Sequence, residues 1–332
     1  MPGSNVRADL WISEYITPWD IYQHGVTRVL VSKKTRFQDM FIVETGAYGK
    51  ALVLDGKWQS STGDEFLYHE ALVHPAMIFH GAPRRVLILG GGEGATAREA
   101  LRWNSVEVVT MVDIDGEVVD ACKEHLPEMH QGAFDDPRLK VVIDDALNVL
   151  DRADDRWDVI ISDLSDPIEE GPSFRLFTKE YFEQAASRLD NDGYFVLQAG
   201  PVSPAEIKLH ARLVNTMKSV FANVQSYTSY VPTYAAPWGF AVGSEQPLEA
   251  RPNPESVDDL LASRLDSELQ TIDGVALLGM LQLPAHIRRA IAEETKVYTL
   301  KEPPKFFGKG LPRAADESSP QIQIPRCGIP SE

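Results

Sequence analysis

The residues with the most chemical potential in this chain are acids placed at the ends of apolar runs. Val86-Leu87-Ile88-Leu89 ends in Gly90-Gly91-Gly92-Glu93-Gly94, a helical pattern from Ala95 to Trp103 follows, and the run Val108 to Val112 ends on Asp113. A strand, glycine loop, helix and strand in this order make a nucleotide-binding unit. Its glycines let the backbone approach a ligand, and a carboxylate about twenty residues on accepts hydrogen bonds from ribose hydroxyls. Glu93 stands inside the loop, where it would repel a pyrophosphate. The loop therefore suits a cationic nucleoside such as an S-adenosyl sulfonium better than a nicotinamide dinucleotide.

In an open parallel sheet the ligand lies over the carboxyl ends of the strands. The residues expected there are Glu93 after the first strand, Asp113 and Asp115 after the second, Asp144 and Asp145 after the third, Asp163 and Asp166 after the fourth, and Gln198 after the fifth. An Asp just before a helix is ordinarily an N-cap, and Asp144 fits that role ahead of a helix Ala146 to Leu150. Asp163-Leu164-Ser165-Asp166-Pro167 fits it poorly, because the next helical pattern starts only near Thr178.

The elements that must carry these residues follow from periodicity. Strands expected at 85–89, 107–112, 140–143, 157–161 and 194–198, separated by amphipathic helical patterns, imply an α/β, doubly wound, Rossmann-like sheet over residues 64–244. Ser203 as N-cap, Pro204 at the first helical position and Glu206 mark the helix after the fifth strand. Val224 to Tyr230 and Gly239 to Val242 should then pair as a terminal hairpin. Residues 1–63 read as a small antiparallel β domain, with strands Arg28 to Ser32, Asp39 to Glu44 and Lys50 to Leu54 and turn chemistry at Thr45-Gly46 and Asp55-Gly56. Residues 245–311 form a helical extension with stretches near 255–270 and 284–294. The polar, proline-rich residues 312–332 read as a disordered tail.

The chain has 332 residues, 43% hydrophobic and 24% charged, as in a soluble globular protein. Its N-terminus lacks the apolar core of a secretion signal, no run approaches the roughly 18 apolar residues of a membrane span, and Cys122 and Cys327 are too few for a disulfide framework. A cytoplasmic location is expected. The formal charge of −17 disfavours nucleic acid and anionic membranes and suits a cationic small substrate.

Four elements in this order, Asp64-Glu65-Phe66-Leu67-Tyr68-His69-Glu70, Gly90-Gly91-Gly92-Glu93-Gly94, Asp163-Leu164-Ser165-Asp166-Pro167 and Val231-Pro232-Thr233-Tyr234, make the chain over residues 15–245 resemble the polyamine aminopropyltransferases, the spermidine synthase family. The resemblance implies a β domain ahead of a Rossmann-like domain of the methyltransferase type. It also implies transfer of a 3-aminopropyl group from decarboxylated S-adenosylmethionine to an amine, without metal or prosthetic group, by a homodimer or homotetramer. In the implied site Asp163 is the proton acceptor, and Tyr68 and Asp166 order the acceptor amine. Glu93 holds the donor ammonium and His69 lies along the acceptor channel. Asp113 takes the ribose hydroxyls, Asp145 and Ala146 face the adenine, Gln38 and Gln59 contact the nucleoside, Pro172 covers the base and Tyr234 lines the acceptor groove. Gly90, Leu164 and Ser165 complete the binding set.

Glu93 in place of the usual Asp, Trp58 in place of a small aliphatic residue, the long segment 169–176, Gln198-Ala199-Gly200-Pro201 and Trp238-Gly239 set the chain apart from simple spermidine synthases. All but Trp58 also bring it nearer the thermospermine synthase and agmatine or triamine branches, so agmatine or spermidine is the expected acceptor ahead of putrescine. An S-adenosylmethionine methyltransferase and a non-catalytic polyamine-binding protein are the readings from other classes.

Overall fold

The computed structural model describes residues 8, 10–17, 19–152, 155–167 and 173–304. The expected tail, Pro172 and most of the long segment before it lie outside the described residues.

Five antiparallel strands open the chain: β1 (Leu10–Thr17), β2 (Asp20–Lys34), β3 (Asp39–Thr45), β4 (Gly49–Leu54) and β5 (Lys57–Ser61), paired in sequence order. Sequence periodicity accounted for the middle three, with β2 longer than expected, and missed the outer two. The Asp55-Gly56 turn has both residues at positive φ (50° and 76°), so Leu54 faces Lys57 across a two-residue hairpin. One face of this sheet, through Met40, Ile42 and Leu52, packs on Ala95, Val118, Cys122, Leu126 and Met129 of the following layer.

That layer begins with α1 (Phe66–His80), followed by β6 (Arg85–Gly90), α2 (Ala95–Leu101), β7 (Val108–Asp113), α3 (Gly116–His125), the short α4 (Pro127–His130), β8 (Leu139–Ile143), α5 (Ala146–Arg152) and β9 (Trp157–Asp163). Then come α6 (Lys179–Ala186), β10 (Leu189–Pro201), α7 (Ile207–Lys218), β11 (Asn223–Val231) and β12 (Ala236–Ser244). The sheet order is β11-β12-β10-β9-β6-β7-β8, parallel from β10 through β8, with β11 and β12 antiparallel at one edge. Both faces are covered, which explains the continuous apolar runs. Val86, Ile88, Val159, Ile161 and Val196 point into one core, and Leu87, Leu89, Ile160, Phe195 and Leu197 into the other.

Three local expectations need correction. Helix α7 starts at Ile207, not after Ser203; the Ser203 hydroxyl donates to the Glu206 carboxylate (2.7 Å), and the helix start carries no side-chain cap. Asp145, not Asp144, accepts the Leu147 N–H at the start of α5 (2.9 Å), while Asp144 takes the Asp145 N–H and the Asn148 amide. Among the described residues beyond β12 there are three helices, α8 (Pro254–Arg264), α9 (Gly274–Leu281) and α10 (Ala285–Glu293), where two stretches were expected. This region is docked on the sheet layer. The buried Glu70 carboxylate of α1 accepts the N–H groups of Gln270 and Thr271 (both 2.7 Å) and of Ile272 (3.2 Å).

The two sheets are joined by polar groups as well as by the apolar face. Asp115 caps α3 through its bonds from Glu117 and Val118 N–H, and its other oxygen accepts from Thr35 Oγ1 (2.6 Å) and Gln38 Nε2 (3.2 Å) of the N-terminal sheet. Asp115→Ala removes a cap and takes an acceptor from the half-buried Gln38 amide and from the buried Thr35 hydroxyl, which keeps the Gln38 carbonyl (3.1 Å). It should destabilise the protein by about 1–3 kcal/mol in denaturant unfolding, and a loss below about 0.5 kcal/mol would mean that the apolar face alone joins the sheets.

Candidate active site

The strand order reverses between β6 and β9. From β6 the chain winds outward through β7 to β8, and from β9 it winds the other way to β10. Loops leaving adjacent strands in opposite directions open a crevice over their carboxyl ends. Here Gly90 sits opposite Asp163, and the Gly91 N–H donates to the Asp163 carbonyl (3.0 Å). Gly90 has φ +89°, and a Cβ there would stand 1.9 Å from that same carbonyl oxygen. A Cβ on Gly92 would stand 2.7 Å from Asp113 Oδ2. The glycines are thus demanded by the protein's own close packing, before any ligand arrives.

Asp163 projects into this crevice. Its Oδ1 accepts from the Tyr68 hydroxyl (2.8 Å) and its Oδ2 from Thr96 Oγ1. Burial, reinforced by the negative charge of Glu93, pushes its carboxyl above the ordinary range. Tyr68 is fixed in turn by edge contacts with Tyr234 (5.8 Å between centroids) and His69 and by Phe240.

Glu93 also borders the cleft, and behind it lies a buried chain of charge. Glu93 Oε1 meets His69 Nε2 (3.1 Å), His69 Nδ1 meets Glu65 Oε2 (2.7 Å), and Glu65 receives Arg98 (2.9 Å). His69 is fully buried. Burial disfavours its cation, but the bonds to Glu65 and Glu93 prevail and push the imidazole up to about 10. Against the same burial, His69 keeps Glu93 below the usual carboxylate range, so Glu93 is an anion at neutral pH. The expectation that His69 lies along the acceptor channel is corrected to this extent: it does not border the cleft, and stands one side chain behind it.

Gln38, Asp113, Asp145 and Ala146 border the cleft with the glycine loop. Asp113 accepts the Asp115 N–H (2.8 Å), yet burial, with the charges of Asp115, Glu93 and Asp163, pushes it up to about 7. Lys57, Trp58 and Gln59 of β5, Leu164, Ser165, Asp166, Gln198, Tyr234 and Trp238 border the cleft too. Three consecutive β5 residues reach the cleft because Gln59 is a bulge, the extra residue between the pairs Val53 with Trp58 and Leu52 with Ser60. Tyr234 donates to the Gln59 carbonyl. Gln198 Nε2 donates to the Leu164 carbonyl (3.0 Å) and to Asp166 Oδ1 (3.3 Å), while its Oε1 accepts from Trp238 Nε1 (3.0 Å). Burial pushes Asp166 up to about 6, with Lys57 opposing.

Sequence reading did not single out Glu14, Lys57 or Glu206 as site residues, yet all three border the cleft. Glu14 lies on the unforeseen β1, Glu206 was assigned to a helix start, and the one available signal for Lys57 was its place just after the Asp55-Gly56 turn. Among the described residues no cluster of His, Cys, Asp and Glu is arranged to hold a metal ion, and no helix is long and apolar enough to cross a membrane.

The raised Asp113 fixes a pH dependence. Because its folded value lies above its unfolded one, the folded state binds more protons between about pH 4 and 7, and its ionisation lowers stability as pH rises through that window. Asp113→Asn should therefore raise the melting temperature of the ligand-free protein at pH 8, with the gain shrinking to nothing by about pH 4. A gain independent of pH would show that Asp113 is not the titrating group.

Two family models match the chain, the spermine/spermidine synthase domain over residues 65–252 and the spermidine synthase tetramerisation domain over residues 10–61. A polyamine aminopropyltransferase of Synechococcus sp. (strain JA-2-3B'a(2-13)) is 60% identical over 310 residues, covering 91% of this chain and 99% of the relative. One from Aeropyrum pernix is 46% identical over 298 residues, covering 87% and 93%. The fold is similar to the crystal structure of spermidine synthase from Thermotoga maritima, with TM-score 0.78 and 29% identity over 86% of this chain and 95% of that one. A spermidine synthase in complex with the transition state analogue AdoDATO is similar at TM-score 0.79 and 29% identity, over 86% of this chain and 96% of that one. With these matches along both sheets, the chain belongs to the spermine/spermidine synthase family.

Proposed function

We propose that the cleft transfers the 3-aminopropyl group of decarboxylated S-adenosylmethionine to a polyamine acceptor, releasing methylthioadenosine. The observation that carries this reading is Asp163: a half-buried carboxylate of raised proton affinity, aimed by Tyr68 and Thr96 into a cleft that also holds the anionic Glu93. The acceptor nitrogen attacks the methylene carbon bonded to sulfur. The carbon–sulfur bond breaks, its electron pair neutralises the sulfonium, and the nitrogen's proton passes to Asp163.

The attacking amine must be neutral, which from a reference pKa near 10.4 costs roughly 4.6 kcal/mol at pH 7. A carboxylate alone would worsen this by favouring the ammonium. A sulfonium beside a buried nitrogen lowers that cost, and a carboxyl raised above its ordinary range is the better base. Glu93 accepts the donor's ammonium, Asp113 the ribose hydroxyls, and Gln38, Gln59, Asp145 and Ala146 surround the nucleoside. Tyr234, Leu164, Ser165 and Asp166 form the acceptor side, and His69 acts through Glu93. A methyltransferase would have to seat a carboxylate beside that anion, and a mere polyamine-binding protein has no use for an aimed base. Decarboxylated S-adenosylmethionine serves as cosubstrate in a chain that works as a cytoplasmic homo-oligomer.

The acceptor side carries several acids beyond the reacting centre, Asp166, Glu14 and Glu206 among them. A longer acceptor can rest its spare cation there while another amine, neutralised, meets Asp163. We therefore assign agmatine or spermidine ahead of putrescine. Kinetics with the three amines at fixed donor check this, and a higher kcat/KM for putrescine would reverse the assignment. Asp163→Asn should lower turnover 10²- to 10⁴-fold while methylthioadenosine binding stays within about threefold. Turnover within threefold of the parent would remove Asp163 from its role.

A further inference from the structure

The far wall of the cleft contains a cation. Lys57 is 5% exposed, borders the cleft, and its ammonium pairs with Glu14 (3.2 Å) and donates to the Tyr15 carbonyl (2.9 Å). Glu14 is held from its other oxygen by the Trp58 N–H (3.1 Å), so the pair is tied to the β5 bulge. Asp166 and Glu206 border the cleft as well, and both lie close enough to Lys57 to feel its charge. Burying a lysine is costly, and a plain structural role would be served by an apolar side chain. Its position among the acids that face the acceptor gives it another use.

We infer that Lys57 sets the number of positive charges the acceptor brings to this wall, by supplying from the protein one of the cations that Glu14, Asp166 and Glu206 would otherwise take from the substrate. The inference rests on the aminopropyl-transfer reading. Once the attacking nitrogen is neutral, putrescine and agmatine each retain one cation and spermidine retains two. Three carboxylates against one ammonium leave a wall of net charge near −2 when all are ionised. Without Lys57 the enclosed Glu14, which burial already raises and Lys57 holds down, moves towards its neutral form. The comparison is therefore made at alkaline pH, where Glu14 stays ionised, the wall gains one further negative charge and the more highly charged acceptor is rewarded selectively.

The test compares kcat/KM for putrescine, agmatine and spermidine in the parent, Lys57→Met and Lys57→Gln. The spermidine-to-putrescine ratio should rise about tenfold in both variants, while the agmatine-to-putrescine ratio, between acceptors of equal charge, stays within about twofold. Lys57→Arg should keep both parental ratios. Glu206→Gln, which removes an acid from the same wall, should lower the spermidine-to-putrescine ratio and carries the test if the Lys57 variants do not fold. Unchanged ratios, or equal shifts for agmatine and spermidine, would overturn the inference by marking Lys57 as packing alone. Failure of the parent to form methylthioadenosine with any of the three amines would instead overturn the reading beneath it.

Discussion

The buried row Glu65, His69, Glu93 is the interaction on which the rest of the site depends. A carboxylate enclosed by protein tends to take up a proton, and Glu93 would do so if left alone. An imidazolium locked between two carboxylates prevents this and leaves an anion in the wall of the cleft. The support extends inward, from Glu65 to Arg98, from Arg98 to Glu99, and from Glu99 to His74 and Arg102. Every member has a partner, the condition under which a buried charge network does not cost more than it returns. Much of α1 is committed to it, which is why a helix buried on nearly all sides carries His69, Glu70 and His74.

That anion also explains the neighbouring carboxyls. Asp163 and Asp113 stand in the same crevice, and the charge of Glu93 adds to burial in raising both. The empty cleft is thus electrostatically strained towards negative charge. A donor bearing a sulfonium and an ammonium relieves the strain, and a neutral or anionic ligand does not. In the complex proposed above, ribose hydroxyls donating to Asp113 would favour its ionised form, so the group that weakens the ligand-free protein would strengthen the loaded one.

The parts of the fold legible in the sequence were those whose burial is uniform. The parallel strands β6, β9 and β10 stand out as apolar runs because both of their faces are covered, the edge strand β8 by its apolar composition alone, and the turn at Asp55-Gly56 because its backbone demands positive φ. β1 escaped notice because it is an edge strand whose side chains are half exposed, so no face imposes alternation. β5, Lys57-Trp58-Gln59-Ser60-Ser61, is polar because it bulges into the cleft, which hides both the strand and the function of Lys57. α9 contains two glycines, poor helix formers, and relies on the Asp273 cap and on docking. Acids after each strand marked the site, but whether an acid lines the cleft or backs another side chain is a tertiary fact. Glu65 and His69 are neighbours on one helical turn, whereas the contact of His69 with Glu93 exists only after α2, which follows Glu93, has packed beside α1.

The central claim is that an ionised Glu93 makes the cleft select a donor with an ammonium and no carboxylate. Calorimetric titration of the unmodified protein with decarboxylated and with intact S-adenosylmethionine tests it most directly. The account predicts that the decarboxylated compound binds at least about tenfold more tightly, since each factor of ten corresponds to only about 1.4 kcal/mol and an added carboxylate facing a buried anion costs more than that. Equal or tighter binding of intact S-adenosylmethionine would contradict it.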